Sequence, residues 1–346
     1  MKKLKIGIVG LGRVASKTHI PVLRSLDNIE IVAGTEKNPE RAQRVKNLFG
    51  LGQVHSSYEE MYSSNSLDAV YICLPNYLHK DACKKALEHG LHVLCEKPMG
   101  ISVDEANEIT VLAEDRKLVL MPGYKKRYAS NFTKAKKLIE SGLLGKIIHV
   151  QGTFMTPGPY ISWDPKSDWY LDEKWHGVIY DSGCHIIDLL LYLIPHEVSK
   201  MSVMTHYGFS GYKTPTNLGC VFEMEGEILG ELSIGWRAAT DILSLSIHGT
   251  AGTLTVDRDS FVYMNPGTDP VDKIKIHLQN AYSESVSLFK KVNNKIRGRD
   301  FYIEDLIQAK TFSKAINKEE KSQVNGRDAI RVHKFLEMMV KKSNRN

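Results

Sequence analysis

A glycine-rich turn between a short apolar run and a helix-forming segment restricts this chain more than any other feature. Leu4 to Val9 reads as a buried strand, Gly10-Leu11-Gly12-Arg13-Val14-Ala15 comes directly after it, and a helix is expected from about Ser16 to Leu26. Glycine in the first position permits a tight turn. In the second it lets the backbone approach a phosphate, and the small residue in the third lets the helix pack on the sheet. The helix start behind such a turn offers free N–H groups to a pyrophosphate. The next apolar run, Ile29 to Thr35, ends at Glu36, 24 positions beyond Gly12 and near the ~20 at which a carboxylate meets ribose hydroxyls. Glu36 therefore favours NAD over NADP. Lys37 beside it could pair with a 2′-phosphate, so NADP stays open. Alone the motif is weak, because glycine-rich turns also arise for steric reasons.

The pattern beyond the turn strengthens it. Helices expected over about 39–49, 57–63 and 80–89 alternate with apolar runs, of which Asp68 to Cys73 and Leu91 to Leu94 are the clearest. That alternation predicts a parallel, doubly wound sheet with right-handed crossovers. Ligands of such sheets bind outside the carboxyl ends of the strands. Two strand ends there carry unusual residues. One is Leu74-Pro75-Asn76, with His79 close behind; the other is Glu96-Lys97-Pro98. Pro98 lacks an N–H and disfavours helix at Lys97, so the strand stops there. A Glu-Lys pair at the end of a buried strand is costly unless it is used or paired. Lys97 either pairs with Glu96 or reaches the reacting hydroxyl of a substrate. A helix over 103–115 and a strand over 118–121 complete a first domain, 1–122.

Composition narrows the function classes. With 346 residues there is room for two domains, and 42% hydrophobic with 25% charged residues is the balance of an ordinary soluble protein. The net charge of +6 is dispersed, and its densest cluster, Lys125-Lys126-Arg127, is too short to suggest nucleic acid. Five scattered cysteines with no CxxC argue for a reducing compartment and against disulfides or zinc. No apolar run is long enough to span a membrane or to form a signal-peptide core, so the cytoplasm is the expected location.

The second half, 123–346, is patterned differently. After Tyr124 to Tyr128 a helix is expected over 132–141 and a strand over 146–153. Residues 155–176 are rich in Pro, Gly, Trp, Tyr and Asp with little periodicity, and a loop of that length in a compact domain is usually functional. Tyr160, Trp163, Asp168 and Trp169 offer the mixture of flat apolar faces and polar groups that a sugar ring needs. Asp181-Ser182-Gly183-Cys184-His185 then opens an apolar helix. At 3.6 residues per turn Asp181, His185 and Asp188 share a face. A carboxylate one turn before an imidazole can orient it and stabilise the cation formed when it accepts a proton. A core histidine is the alternative. A metal site would need a third ligand that the sequence does not nominate, so no metal is expected. Short alternating runs over 198–256 read as antiparallel strands, 257–300 as a surface excursion, and 301–316 and 326–341 as helices.

The Gly10–Ala15 loop, Leu74-Pro75-Asn76 with His79, Glu96-Lys97-Pro98 and Asp181 to His185 together resemble, in order and spacing, the glucose–fructose oxidoreductase / inositol 2-dehydrogenase (Gfo/Idh/MocA) family, from residue 4 to about 256. The resemblance implies a Rossmann domain followed by an α+β domain with a large, mostly antiparallel sheet. The open face of that sheet would pack against further subunits in a homodimer or homotetramer. It also implies NAD(P)-dependent hydride transfer at a secondary alcohol of a sugar or cyclitol. Gly10, Leu11, Gly12, Arg13, Val14, Glu36, Lys37 and Arg41 would hold the adenosine and pyrophosphate. Leu74, Pro75, Asn76, His79, Glu96, Lys97 and Arg127 would line the path to the nicotinamide. Substrate would meet Lys97, Arg127, Tyr160, Trp169, Asp181 and His185, with Lys97, Asp181 and His185 catalytic. Two departures fall where substrate would be held. Tyr170 stands after Trp169 where many members have Arg, and only Gly177 remains of the glycines before Asp181. The substrate therefore cannot be carried over. An NAD-retaining glycosidase and a nucleotide-sensing regulator are the rival readings.

Overall fold

The computed structural model describes residues 3–64, 66–158, 172–208, 213–236, 238–267 and 303–343, together with Asp269, Val271, Ile274, Lys275, Leu278, Ala281, Tyr282, Ser285 and Phe289. The chain divides into two compact units, 1–125 with 293–330, and 126–292 with 331–346. The sequence places one boundary at 122 and lets the C-terminal helix pack back on the first domain.

In the first unit six strands form a parallel sheet: β1 Leu4–Val9, β2 Ile29–Thr35, β3 Gln53–His55, β4 Ala69–Ile72, β5 His92–Cys95 and β6 Leu120–Pro122. Their spatial order is β3-β2-β1-β4-β5-β6, the doubly wound arrangement expected, and it reverses between β1 and β4. Every residue of β4 is buried, as a central parallel strand covered on both faces requires. The crossover helices are α1 Ile20–Arg24, α2 Pro39–Phe49, α3 Tyr58–Ser64, α4 His79–Glu88 and α5 Val103–Asp115. Their ends obey local chemistry. Asn38 caps α2 by accepting from the Arg41 N–H at 2.9 Å, and Gly50 closes it in the left-handed conformation at φ +56°. The helix expected from Ser16 begins instead with a π turn, Ala15–His19, that runs on into α1.

The chain returns to this unit late, with α8 Ile303–Ile316. Phe312 of α8 meets the Tyr71 ring edge-on at 5.5 Å, Asn28 Nδ2 donates to Ser313 Oγ at 2.8 Å, and Lys125 pairs with Asp305 at 2.7 Å.

The second unit is built on a seven-stranded sheet. Its strands are β7 Ile147–Thr156, β8 Val198–His206, β9 Asn217–Met224, β10 Ile228–Trp236, β11 Ile242–Gly249, β12 Thr253–Asp257 and β13 Phe261–Met264, in the order β13-β12-β11-β7-β10-β9-β8. Neighbours run antiparallel except β10 on β7, which are parallel, so the sheet is mostly antiparallel as expected. β13 is a correction, because it lies where only a surface excursion was expected; Phe-Val-Tyr-Met has no alternation to reveal it. On β9, Leu218, Cys220, Phe222 and Met224 are buried while Gly219 and Val221 are exposed, the period of two that separates an inner face from an outer one. Helices α6 Ser130–Glu140 and α7 Cys184–Leu193 contact the sheet, and Phe335 of α9 Gly326–Ser343 packs on Phe222 at 5.2 Å. Gly152 on β7 allows α7 its close approach, because a Cβ there would stand 2.9 Å from Ile186 Cδ1. Among the described residues no helix is long and apolar enough to cross a membrane.

Candidate active site

The strand order of the first unit sets its chemistry out in a row. Read across β2, β1, β4 and β5, the carboxyl ends lead into Glu36, the Gly10–Ala15 turn, Leu74-Pro75-Asn76 and Glu96-Lys97. Adjacent strands lie about 4.8 Å apart, so this row extends over roughly 14 Å.

Two glycines of the turn are needed for different reasons. Gly10 has φ +85°, and a Cβ on it would lie 2.9 Å from the Cys73 carbonyl oxygen. Gly12 has open space where its Cβ would be. Packing against the described residues therefore does not explain Gly12, and the space over the turn is large enough for a bound group to approach the main chain. Leu11 is buried beside Gly34, so only its main chain faces that space, while Arg13 and Val14 are exposed. The Glu36 carboxylate accepts from the Asn38 N–H at 2.9 Å and lies 3.7 Å from Arg41 Nε. Lys37 beside it is exposed.

Farther along the row, Asn76 is buried and its Oδ1 accepts no hydrogen bond. A buried amide oxygen without a donor is costly, so a bound group that supplies one fits there. His79 is buried too, but both ring nitrogens go to main-chain carbonyls: Nδ1 lies 2.8 Å from Pro98 O and Nε2 2.8 Å from Leu74 O. The ring is thus engaged within the first unit, between the residues that follow β4 and β5. Glu96 is joined to His19 Nε2 at 2.7 Å and accepts weakly from the Lys97 N–H at 3.2 Å. Burial pushes its carboxyl up, but the His19 hydrogen bond and charge, with Lys125 and Lys97, outweigh burial and hold it at about 2. Lys97 itself is half-buried, and the Lys97–Pro98 peptide is cis. His19 was not anticipated from the sequence. It stands seven positions beyond Gly12, in a segment whose pattern does not set it apart from a core histidine.

The second unit holds the imidazole group. Asp181 lies in a π turn, Ile179–Gly183, that leads into α7, and both Asp181 and His185 are half-buried. Ser182 Oγ donates to Asp181 at 3.3 Å and accepts from Trp236 Nε1 at 2.9 Å, tying this turn to β10. The His185 ring lies 5.5 Å from that of Phe154, and Lys126 Nζ stands 5.2 Å from the centre of the same Phe154 ring. Neither Phe154 nor Lys126 was expected from the sequence to lie beside His185. Asp188, on the same helix, pairs with Arg127. It is 1% exposed and receives Arg127 Nε at 2.9 Å and Nη2 at 2.6 Å, a buried fork. Arg127, expected beside cofactor and substrate, is thereby engaged inside the second unit. Tyr160, Trp163, Asp168 and Trp169 lie outside the described residues. Among the described residues no three His, Cys, Asp or Glu side chains group to hold a metal ion, and all five cysteines are free.

Residues 4–124 match the oxidoreductase family with an NAD-binding Rossmann fold (GFO/IDH/MocA), and residues 132–255 match the GFO/IDH/MocA C-terminal domain. A D-xylose 1-dehydrogenase (NADP(+)) from Haloferax volcanii is 33% identical over 185 residues, 53% of this chain and 55% of that protein, so the match spans about half its length. The myo-inositol 2-dehydrogenase of Thermotoga maritima is 24% identical over 341 residues, covering 94% of this chain and 92% of the relative. Among solved structures, the WlbA dehydrogenase of Bordetella pertussis, crystallised with NADH and UDP-GlcNAcA, superposes with a TM-score of 0.84 at 20% identity over 99% of this chain and 96% of that one. That last likeness speaks for the fold.

Proposed function

We propose, for a chain that belongs to the Gfo/Idh/MocA oxidoreductase family and carries its NAD-binding Rossmann domain, that it moves hydride between NAD and a secondary alcohol of a sugar, sugar derivative or cyclitol. The observation that carries this reading is the row of strand ends. An acidic residue, an open glycine turn, a buried amide oxygen and a lysine succeed one another across neighbouring strands in the order in which a dinucleotide is read from adenosine to nicotinamide.

Bound NAD would supply the hydride acceptor. The main chain of Gly10 to Val14 would hold the pyrophosphate over the space left by Gly12, and Glu36 would accept from the adenosine ribose. Asn76 would use its buried oxygen toward the nicotinamide half. Lys97 would donate a hydrogen bond to the substrate oxygen and stabilise alkoxide charge as it develops, the kind of electrostatic help that dominates many barriers. His185 would take the hydroxyl proton, with Asp181 orienting the substrate or the imidazole. The alcohol loses one proton and one hydride and leaves as a ketone.

The seven-stranded sheet supports a homo-oligomer, dimer or tetramer. Its outer face exposes Met204, Val221 and Leu229 beside polar and charged residues such as Ser202, Glu223 and Glu231. Five free cysteines agree with a cytoplasmic location.

A panel of sugars, sugar phosphates, nucleotide sugars and inositols, assayed by NADH absorbance with NADP in parallel, tests the function. Lys97→Ala should retain NADH binding and lose at least about 100-fold in turnover, the effect of removing one hydrogen-bond donor from a developing oxyanion. Near wild-type turnover in that variant would reject the role of Lys97. Sugar release without net NADH would point instead to glycoside cleavage.

A further inference from the structure

We propose that His79 is a positioning residue for Lys97: its imidazole clasps the loop after β4 to the turn after β5 and so fixes the spacing between them. The proposal rests on the reading of Lys97 as the group that meets the substrate oxygen. His79 is 1% exposed and opens α4. Its two nitrogens point in different directions, to Leu74 O and to Pro98 O, each at 2.8 Å. Leu74 leads into Pro75 and Asn76, and Pro98 directly succeeds Lys97. One rigid ring therefore spans the cofactor loop and the residue next to the catalytic lysine. Helix α4 packs on both β4 and β5, which gives the ring a firm base.

The ring reaches a carbonyl on each side, and it bonds both at once as the cation. A neutral imidazole donates from one nitrogen only, while the cation donates from both. Burial lowers the pKa of His79; the two carbonyls and the Glu96 charge act the other way, and Lys97 sides with burial. In either form at least one N–H is held by a carbonyl away from water. A glutamine can reach one carbonyl with its single NH₂ group, and a leucine can hold neither.

Three chains decide the matter: wild type, His79→Gln and His79→Leu. NADH affinity, read by nucleotide fluorescence, should stay within about threefold of wild type in both variants. Turnover should fall about tenfold in His79→Gln and about 100-fold in His79→Leu with KM for the alcohol little changed, because a misplacement of ~1 Å can cost that much. Parallel losses of NADH affinity and turnover would mean a general structural role and overturn the proposal, as would unchanged turnover in a folded His79→Leu. If His79→Leu does not fold, His79→Gln carries the kinetic comparison. A reading free of substrate comes from NMR of the ¹⁵N-histidine-labelled protein. A slowly exchanging ring N–H should be present in wild type and missing from His79→Gln, and its absence from wild type would overturn the clasp. A wild type that binds NADH, shows this proton and oxidises no alcohol would sink the proposed function while leaving the clasp intact.

Discussion

His19 Nε2 lies 2.7 Å from Glu96 Oε1, and the two side chains join the π turn behind the glycine loop to the end of β5. His19 is 3% exposed and its ring meets Tyr71 edge-on at 5.3 Å. Glu96 thus has a partner supplied from the π turn behind the glycine loop, which keeps a charged group tolerable at the end of a buried strand. The drop of its carboxyl from 4.5 to about 2 corresponds to roughly 3 kcal/mol. Because the folded-state value lies below that of the unfolded chain, this stabilisation is complete above about pH 5 and disappears as pH falls toward 2. His19→Leu should cost about 2–4 kcal/mol at pH 7 by urea unfolding and flatten the loss of stability between about pH 5 and 2. An unchanged acid-unfolding curve would show that His19 is not what holds Glu96 charged.

The two glycines of the cofactor turn should separate stability from binding. Gly10→Ala forces a side chain into a left-handed conformation against the Cys73 carbonyl and should cost about 1–3 kcal/mol in stability. Gly12→Val should leave the melting temperature nearly unchanged, because no described residue occupies that space. It should instead weaken NADH binding at least about tenfold, measured by titration calorimetry. Equal effects of both variants on stability would contradict the assignment of the space over Gly12.

Arg127 and Asp188 form a buried pair in which neither charge reaches water. Asp188→Leu alone removes the carboxylate from a buried guanidinium and should destabilise by about 3–5 kcal/mol. Adding Arg127→Met should recover much of that loss, since an apolar pair of similar volume is often neutral. Differential scanning calorimetry of both variants would check the order; a double variant less stable than the single one would refute it.

Glu36 should govern the choice of cofactor. Its carboxylate stands between the Asn38 N–H and Arg41, with Lys37 next in sequence. Glu36→Ala removes the charge that repels a 2′-phosphate and leaves two cations nearby. The ratio of kcat/KM for NAD over NADP should fall at least about tenfold, which is about 1.4 kcal/mol. A ratio that does not move would assign the preference elsewhere.

The residues that the sequence singles out are those whose chemistry contradicts their local setting. Gly12 interrupts a strand–helix junction, Lys97 ends a buried apolar run, and Asp181 precedes His185 by one turn. Helix ends were legible for the same reason: Asn38, Pro39 and Gly50 bracket α2. His19 stayed hidden because a histidine within an amphipathic segment looks the same whether it packs in a core or pairs with a carboxylate 77 residues away. The Arg127 fork to Asp188 was hidden likewise, since a basic run reads as solvated until its partner 61 positions on is known. His79 was recognised as a position but not as a clasp, because both its partners are carbonyls, which every residue has. β13 lacked any pattern, being four apolar or aromatic residues at a sheet edge.

The late return of α8 has a consequence during synthesis. Tyr71 gains its Phe312 cover, and Asn28 its Ser313 partner 285 positions away, only when the last tenth or so of the chain is made. At ~5–20 residues per second, a ribosome that has finished Lys125 needs roughly 10–40 s more to deliver Phe312. All six parallel strands have been made throughout that interval, while Tyr71, already met by His19, still lacks its Phe312 neighbour. The first unit is therefore completed only by a segment that the ribosome delivers after the whole second sheet.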